Sequence, residues 1–275
     1  MTDKLDLEAY FRRIGYDGPR EPDRGTLRAL HRLHPMAIPF ENLHTLMGQR
    51  VALDPASLQR KLIQDRRGGY CFEHNTLFAE VLESLGFEVE TLSARVVFNH
   101  EGEPAGPRTH MVLLVRLGER TYVCDVGFGG LTLTGPLLLE ADIEQTTPHE
   151  RFRLVHADSI FRLQAMLGDA WRTLYLFDLQ TQLPIDFEVA NHYVSTHPDS
   201  FFLTTLLVAR PVTDCRYGLF NNELTVRPAA GATDRRTLQS VGELRDALTD
   251  VFGINLPDDP ELRTALARVI DRAQG

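Results

Sequence analysis

Arg67-Gly68-Gly69-Tyr70-Cys71 leads straight into Phe72-Glu73-His74-Asn75-Thr76-Leu77-Phe78-Ala79-Glu80-Val81-Leu82-Glu83-Ser84-Leu85-Gly86, and the texture of the chain changes there. Leu77, Phe78, Val81, Leu82 and Leu85 share one face at helical spacing, and Gly86 is a left-handed stop. A helix therefore starts at or beside Cys71, immediately after a glycine pair. From Glu88 onward the pattern becomes strand-like, with β-rich segments Thr91 to Phe98, His110 to Leu117, Arg120 to Val126 and Phe152 to Leu167.

Upstream the chain reads helical. Asp6 caps a helix whose apolar positions are Leu7, Tyr10, Phe11 and Ile14, and Gly15 and Gly18 stop it. A second helix is expected from about Thr26 to Leu33, ending before His34-Pro35. Pro35 and Pro39 then favour an extended segment through Ile38, Phe40, Glu41 and Asn42. Downstream, the β-rich middle is expected to run to about Val212, with Ile185 to His197 less regular. Asn221-Asn222 reads as a hairpin turn. Ser240 caps one helix with Val241, Leu244, Leu248 and Phe252 inward, and Asp259-Pro260 opens another with Leu262, Leu266, Val269 and Ile270 inward.

The chain has 275 residues, 43% hydrophobic and 24% charged, with a net charge of −9. That balance is ordinary for a globular enzyme and fits two or three lobes. No dense Lys/Arg run marks a nucleic-acid surface. No apolar run approaches the roughly 20 residues that span a bilayer, and Met1-Thr2-Asp3-Lys4-Leu5 lacks the layout of a secretory leader, so a cytoplasmic protein is expected. The three cysteines, at 71, 124 and 215, are odd in number and form no C-x-x-C, which argues against a disulfide framework and a structural zinc site. His31 and His34 suggest half a metal site, but no third ligand presents itself; they read as surface histidines.

Cys124 and Cys215 read as small buried hydrophobes. Cys71 differs in its setting. The glycines let backbone approach a ligand closely, and a helix N-terminus offers free N–H groups and partial positive charge, which favour a thiolate. A base comes from hairpin arithmetic. A turn at Gly118-Glu119 pairs residues whose numbers sum to about 237, so His110 lies opposite Gly127 and Val112 opposite Asp125. His110 and Asp125 become diagonal neighbours on one face, within reach of a side-chain hydrogen bond, and the same parity sends Cys124 to the other face. In this arrangement Asp125 orients His110, His110 takes the Cys71 proton, and Cys71 attacks a carbonyl. His74, one turn from Cys71, ranks below His110 because no carboxylate is placed to orient it. Gly127-Phe128-Gly129-Gly130 reads as a strand-end turn able to cradle phosphates, or with Phe128 walling an aromatic pocket.

At these residues the chain resembles the arylamine N-acetyltransferase family. Arg67 to Cys71 is similar to its nucleophile motif, Thr109-His110 and Asp125-Val126-Gly127-Phe128-Gly129 to the segments supplying its histidine and aspartate, and Tyr10 to Tyr16, Ile38 to Leu43 and Asn191 to Phe201 to further signatures. The resemblance implies an α+β fold with a cysteine-protease-like catalytic core: an N-terminal helical bundle over residues 1–88, a central β-barrel over 89–200 and a C-terminal α/β lid over 201–275. It implies ping-pong transfer from acetyl-CoA, a co-substrate rather than a resident cofactor, to arylamines, arylhydrazines or N-hydroxyarylamines. It also implies catalytic roles for Cys71, His110 and Asp125, no metal, and substrate-binding or supporting roles for Phe128, Gly127, Gly129, Thr109 and Phe40. Arg13, Glu41 and Arg67 would form a buried polar cluster behind the active-site backbone. Other readings of the same triad are a cysteine hydrolase or transglutaminase-like enzyme, a catalytically silent binding module, and an amide-forming enzyme with a carrier-bound acyl donor.

Overall fold

The computed structural model describes residues 5–99, 106–229 and 231–274. α1 (Leu7–Ile14) is capped by Asp6, which accepts the Ala9 N–H at 2.9 Å, and ends at Gly15 with φ 70°. α2 (Arg24–Ala37) runs four residues past the expected stop and carries Pro35 within it. A helix-interior proline typically costs about 3 kcal/mol through a lost hydrogen bond and a clash. Here it falls in the last turn, where Ile38 N–H still reaches the His34 carbonyl at 2.8 Å and the His34 ring is bonded at both nitrogens, to Tyr10 at 2.9 Å and to His74 at 3.0 Å. Tertiary anchoring outweighs the local signal.

β1 (Phe40–Glu41), α3 (Leu43–Leu46) and α4 (Pro55–Leu58, continued by a π-helical turn over Gln59–Gln64) lead to α5 (Cys71–Ser84). An eight-stranded antiparallel sheet follows: β2 (Glu88–Val96), β3 (His110–Leu117), β4 (Arg120–Cys124), β5 (Leu137–Leu138), β6 (Gln145–Thr146), β7 (Arg151–Ala157), β8 (Ile160–Leu167) and β9 (Ala170–Thr181), in spatial order β5-β4-β3-β2-β9-β8-β7-β6. Its two ends nearly meet. The Gln145 amide at one edge accepts the Leu138 N–H at 2.7 Å and donates to the Leu138 carbonyl at 2.9 Å, doing for the barrel seam what a ladder pair does elsewhere.

The segment read as irregular strand is a helix, α6 (Pro184–Thr196). Phe187, Asn191, Val194 and Ser195 are its buried residues, while Ile185 and Val189 are 57% and 68% exposed. Apolar residues on both faces hide the helical period. Thereafter β10 (Leu207–Val212), β11 (Cys215–Phe220), β12 (Glu223–Pro228) and β13 (Asp234–Thr237) make a second sheet in the order β1-β10-β11-β12-β13, with the hairpin at Asn221-Asn222 pairing Phe220 with Glu223. α7 (Val241–Asp246), capped by Ser240, and α8 (Pro260–Gln274) complete the chain. β1 pairs with β10, Phe40 with Ala209 and Glu41 with Val208, across almost the whole intervening chain, so the N-terminal segment is stitched into the C-terminal sheet.

Three apolar cores result. One packs α1, α2 and α5 on the outer face of β3 and β4, through Met111, Leu113, Val115, Tyr122 and Cys124. A second fills the barrel with Val112, Leu114, Val123, Phe152 and Phe177, among others. The third joins Leu43 and Leu46 to Leu248, Phe252 and Leu266. β3 is buried on both faces, which explains its unbroken apolar run. Its register with β4 follows the expected sum, from Leu117 with Arg120 to Leu113 with Cys124. Parity therefore turns His110 and Asp125 to one face and Cys124 toward the helices.

Candidate active site

α5 begins at Cys71. Two glycines allow its entry. A Cβ at Gly68 would lie 2.1 Å from the Pro39 carbonyl oxygen, and one at Gly127 would lie 2.9 Å from Cys71 Cα, so both positions exclude any larger residue. The second of these contacts sets the turn after β4 directly against the first turn of α5. Cys71 is buried, and its thiol donates to the Thr109 carbonyl at 3.6 Å.

His110 Nε2 bonds Asp125 Oδ2 at 2.7 Å, with both side chains buried. The Cys71 thiol, on the carbonyl of the preceding Thr109, lies on the His110 side of the cleft. Burial pulls the His110 pKa down, but the Asp125 charge and hydrogen bond, with the contribution of Cys71, outweigh it and raise the pKa to about 10. For Asp125 burial works upward, and the His110 charge, its hydrogen bond, Asn75 and the Gly127 N–H together hold the carboxyl below its ordinary value. A buried imidazole paired with a carboxylate and set near a cysteine is the arrangement that general-base activation of a thiol calls for. Phe128 meets the His110 ring edge-on at 5.3 Å, and Tyr175 lies 4.9 Å away on another side.

A sequence model of the N-acetyltransferase family matches residues 23–260. The arylamine N-acetyltransferase of Mycolicibacterium smegmatis is 44% identical over 97% of this chain and 99% of its own length. The chain belongs to the arylamine N-acetyltransferase family. The arylamine N-acetyltransferase / N-hydroxyarylamine O-acetyltransferase of Salmonella typhimurium is 39% identical, covering 92% of this chain and 90% of its own. Among solved structures, the Mycobacterium marinum arylamine N-acetyltransferase in complex with CoA superposes with a TM-score of 0.92 at 40% identity, over 97% of this chain and 99% of that one. The family relationship makes the chain an acetyltransferase enzyme of mixed helix-and-sheet architecture.

The residues expected to support an arylamine N-acetyltransferase site are mostly brought together. Arg67 grips Glu41 Oε1 through Nε at 3.2 Å and a terminal nitrogen at 2.9 Å, and Glu41 Oε2 takes the Leu43 N–H at 2.6 Å. Burial pushes the Glu41 carboxyl up, yet Arg67, Lys61 and this hydrogen bond carry it down to about 2. Phe40 packs against Gly129, which has φ 83°. Arg13 does not join the cluster. It is buried, its Nε donates to the Leu62 carbonyl at 3.0 Å, and one terminal nitrogen has no partner among the described residues. Its place beside a carboxylate is filled instead by Lys61, which pairs with Glu73 at 2.7 Å. Cys124 is fully buried, which pushes its thiol well above the usual range, whereas Cys215 is half-buried rather than a core residue.

His31 and His34 correct the surface reading most sharply: both have no exposed area. His31 Nε2 accepts the Asp125 N–H at 3.1 Å, fixing the backbone beyond the end of the β3–β4 ladder. Among the described residues, no cluster of three or more His, Cys, Asp or Glu is arranged to hold a metal. Other supports escaped the sequence reading. Asn75 donates to Asp125 Oδ1 at 3.0 Å and to the Met111 carbonyl at 2.8 Å, and accepts the Val126 N–H at 3.0 Å. Its signal was available, since it lies one helical turn from Cys71 on the same face. Thr132 bridges the Asp125 carbonyl and the Phe128 N–H at 3.0 and 3.2 Å. Glu73 accepts the Tyr70 N–H at 3.1 Å, and the Tyr70 hydroxyl bonds Asn191 of α6, which in turn donates to the Val51 carbonyl at 3.0 Å. Nothing in the spacing of Asn191 foretells a partner 121 residues away.

Proposed function

We propose that the chain moves an acetyl group from acetyl-CoA to the nitrogen of an arylamine, arylhydrazine or N-hydroxyarylamine by way of a thioester on Cys71. The observation that carries this is a thiol at the first residue of a helix, 3.6 Å from the carbonyl of the residue before His110, whose ring lies 2.7 Å from a buried carboxylate. The family relationship and the CoA complex of the M. marinum relative support the donor. His110 accepts the thiol proton. The sulfur attacks the acetyl carbonyl, and first-turn N–H groups of α5 face the oxyanion that forms. Collapse breaks the bond to coenzyme A, whose thiolate takes the proton from His110. The amine then attacks the acetyl-cysteine, gives its proton to His110, and leaves Cys71 ready to be reprotonated. Asp125 keeps the ring in place and stabilises its charged form throughout. Phe128, half-buried against His110, walls the space where the acceptor ring would lie.

The test is intact mass spectrometry after mixing with acetyl-CoA and no amine. The expected result is one added acetyl group on the wild type, removed by an arylamine, and none on Cys71→Ala. Coenzyme A release that proceeds equally fast without an amine would turn the reading to a hydrolase. An unmodified wild type would reject Cys71 as the acyl carrier.

A further inference from the structure

Behind the nucleophile lies a chain of hydrogen bonds that the acetyl transfer itself does not use. Tyr10 of α1, His34 of α2 and His74 of α5 all have no exposed area. The Tyr10 hydroxyl is 2.9 Å from His34 Nδ1, His34 Nε2 is 3.0 Å from His74 Nδ1, and His74 Nε2 is 3.2 Å from the Pro39 carbonyl oxygen. A carbonyl only accepts, so His74 carries its proton on Nε2. With both rings neutral, His74 Nδ1 must accept, His34 must donate through Nε2, and Tyr10 must donate to His34 Nδ1. Every proton in the chain has one position.

The carbonyl at its end is not an ordinary one. It also takes the Gly69 N–H at 3.3 Å, while Gly69 returns its own carbonyl to the Glu41 N–H at 2.8 Å. These contacts clamp the Pro39 segment to the glycine pair two residues before Cys71. His74 is one helical turn from Cys71, and its Cβ would lie 3.0 Å from a Cβ built at Gly127, in the turn that follows Asp125. One residue thus touches the nucleophile's helix, its entry backbone and the loop after the triad carboxylate.

We propose that His74 and His34 are positioning residues for acetyl transfer, and that with Tyr10 they form a proton-ordered chain holding the Pro39 carbonyl, and through it the backbone that aims the Cys71 sulfur. The inference rests on Cys71 being the acyl carrier. The rings stay neutral because burial dominates: it lowers His74 to about 4, with Lys61 lowering and the Pro39 and Gly69 carbonyls and Glu41 raising, and it puts His34 well below its ordinary value, with His74, His31 and Arg13 acting in the same direction. A charged His74 would set its Nδ1–H against the His34 Nε2–H, and a charged His34 would set its Nδ1–H against the donating Tyr10 hydroxyl, so either charge undoes the proton order.

The experiment compares single-turnover acetylation of the wild type, His74→Gln and His74→Phe at pH 7, with histidine-labelled nitrogen NMR of the wild type. Glutamine accepts and donates through one amide and keeps both bonds. Phenylalanine fills the space and leaves the Pro39 carbonyl and His34 without partners. We expect glutamine to stay within about 3-fold of wild type. For phenylalanine we expect the saturated acetylation rate to fall about 30–100-fold, the effect of a misplaced reacting atom, with the half-saturating acetyl-CoA concentration little changed. Two histidines should show neutral Nε2–H tautomers and hold them at pH 5. A phenylalanine variant as fast as wild type, a glutamine variant as slow as the phenylalanine one, or Nδ1–H or charged forms of the His34 and His74 rings would each overturn the proposal. If phenylalanine prevents folding, the glutamine rate and the spectrum decide. A wild type that takes no acetyl group fails the Cys71 reading instead, and the tautomers still report on the chain.

Discussion

His110 and the trio His31, His34 and His74 are equally buried and sit on either side of the same helix start, yet their protonation is opposite. His110 is raised to about 10, while His31 and His74 are lowered to about 4. Desolvation is the largest influence on each of them and always acts downward. What separates them is a carboxylate oxygen at 2.7 Å from the His110 ring, against a backbone N–H, a hydroxyl, a carbonyl and neighbouring imidazoles around the trio. Burial alone makes a histidine neutral and structural; burial with one carboxylate in contact makes it a charged partner for a thiol. The neutral rings hold backbone in place, and the charged one stands where acetyl transfer is proposed to occur.

Removing the carboxylate is the strongest way to erase this contrast. Asp125→Asn should leave His110 to burial, bring its pKa below 6.5, and slow acetyl transfer by about 10⁴-fold, the scale seen when a triad acid is lost. Steady-state rates with an arylamine across pH would show it, and a variant within tenfold of wild type would mean that the carboxylate does not govern His110. A second change acts on the neutral side. Glu41 raises His74 slightly and neutralises Arg67. Glu41→Gln should lower His74 further and leave a buried guanidinium without its charge partner, a loss of about 3–5 kcal/mol in urea unfolding.

The gentlest test is pH itself. His110 has a raised folded pKa, so its contribution to stability is complete below about 6.5 and disappears as pH climbs through about 10. His31 and His74 have depressed folded pKa values, so theirs is complete above about 6.5 and disappears as pH falls through about 4. Each ring contributes up to about 1.4 kcal/mol per pH unit inside its window. Unfolding free energies measured in steps should therefore fall on both sides of neutrality. Asp125→Asn should remove the alkaline slope; an alkaline slope that survives in that variant would break the comparison.

Much of the site could be read before the fold was known because its parts are local. The Gly118-Glu119 turn fixes a two-residue period over β3 and β4, and that parity alone puts His110 beside Asp125. The glycine pair and the apolar stripe of α5 place Cys71 at a helix start. Features governed by distant contacts were illegible. Pro35 reads as a helix stop and is carried inside α2, since His34 is anchored by Tyr10 and His74. α6 hides because its outer face is apolar too. Arg13 reads as a partner of Glu41, but Lys61, brought in by a π-helical turn, lies beside Glu73 instead.

The sequence by itself determined the periodicities, the turn positions, and hence the side of each element on which Cys71, His110 and Asp125 lie, because these depend on residues a few places apart. Only the tertiary structure decided which buried groups meet: the approach of Gly127 to the Cys71 backbone, the histidine chain ending on Pro39, and the clasp of Tyr70 by Asn191. Such contacts join segments dozens of residues apart, and a hydrogen bond is lost within an ångström, so no local pattern encodes them.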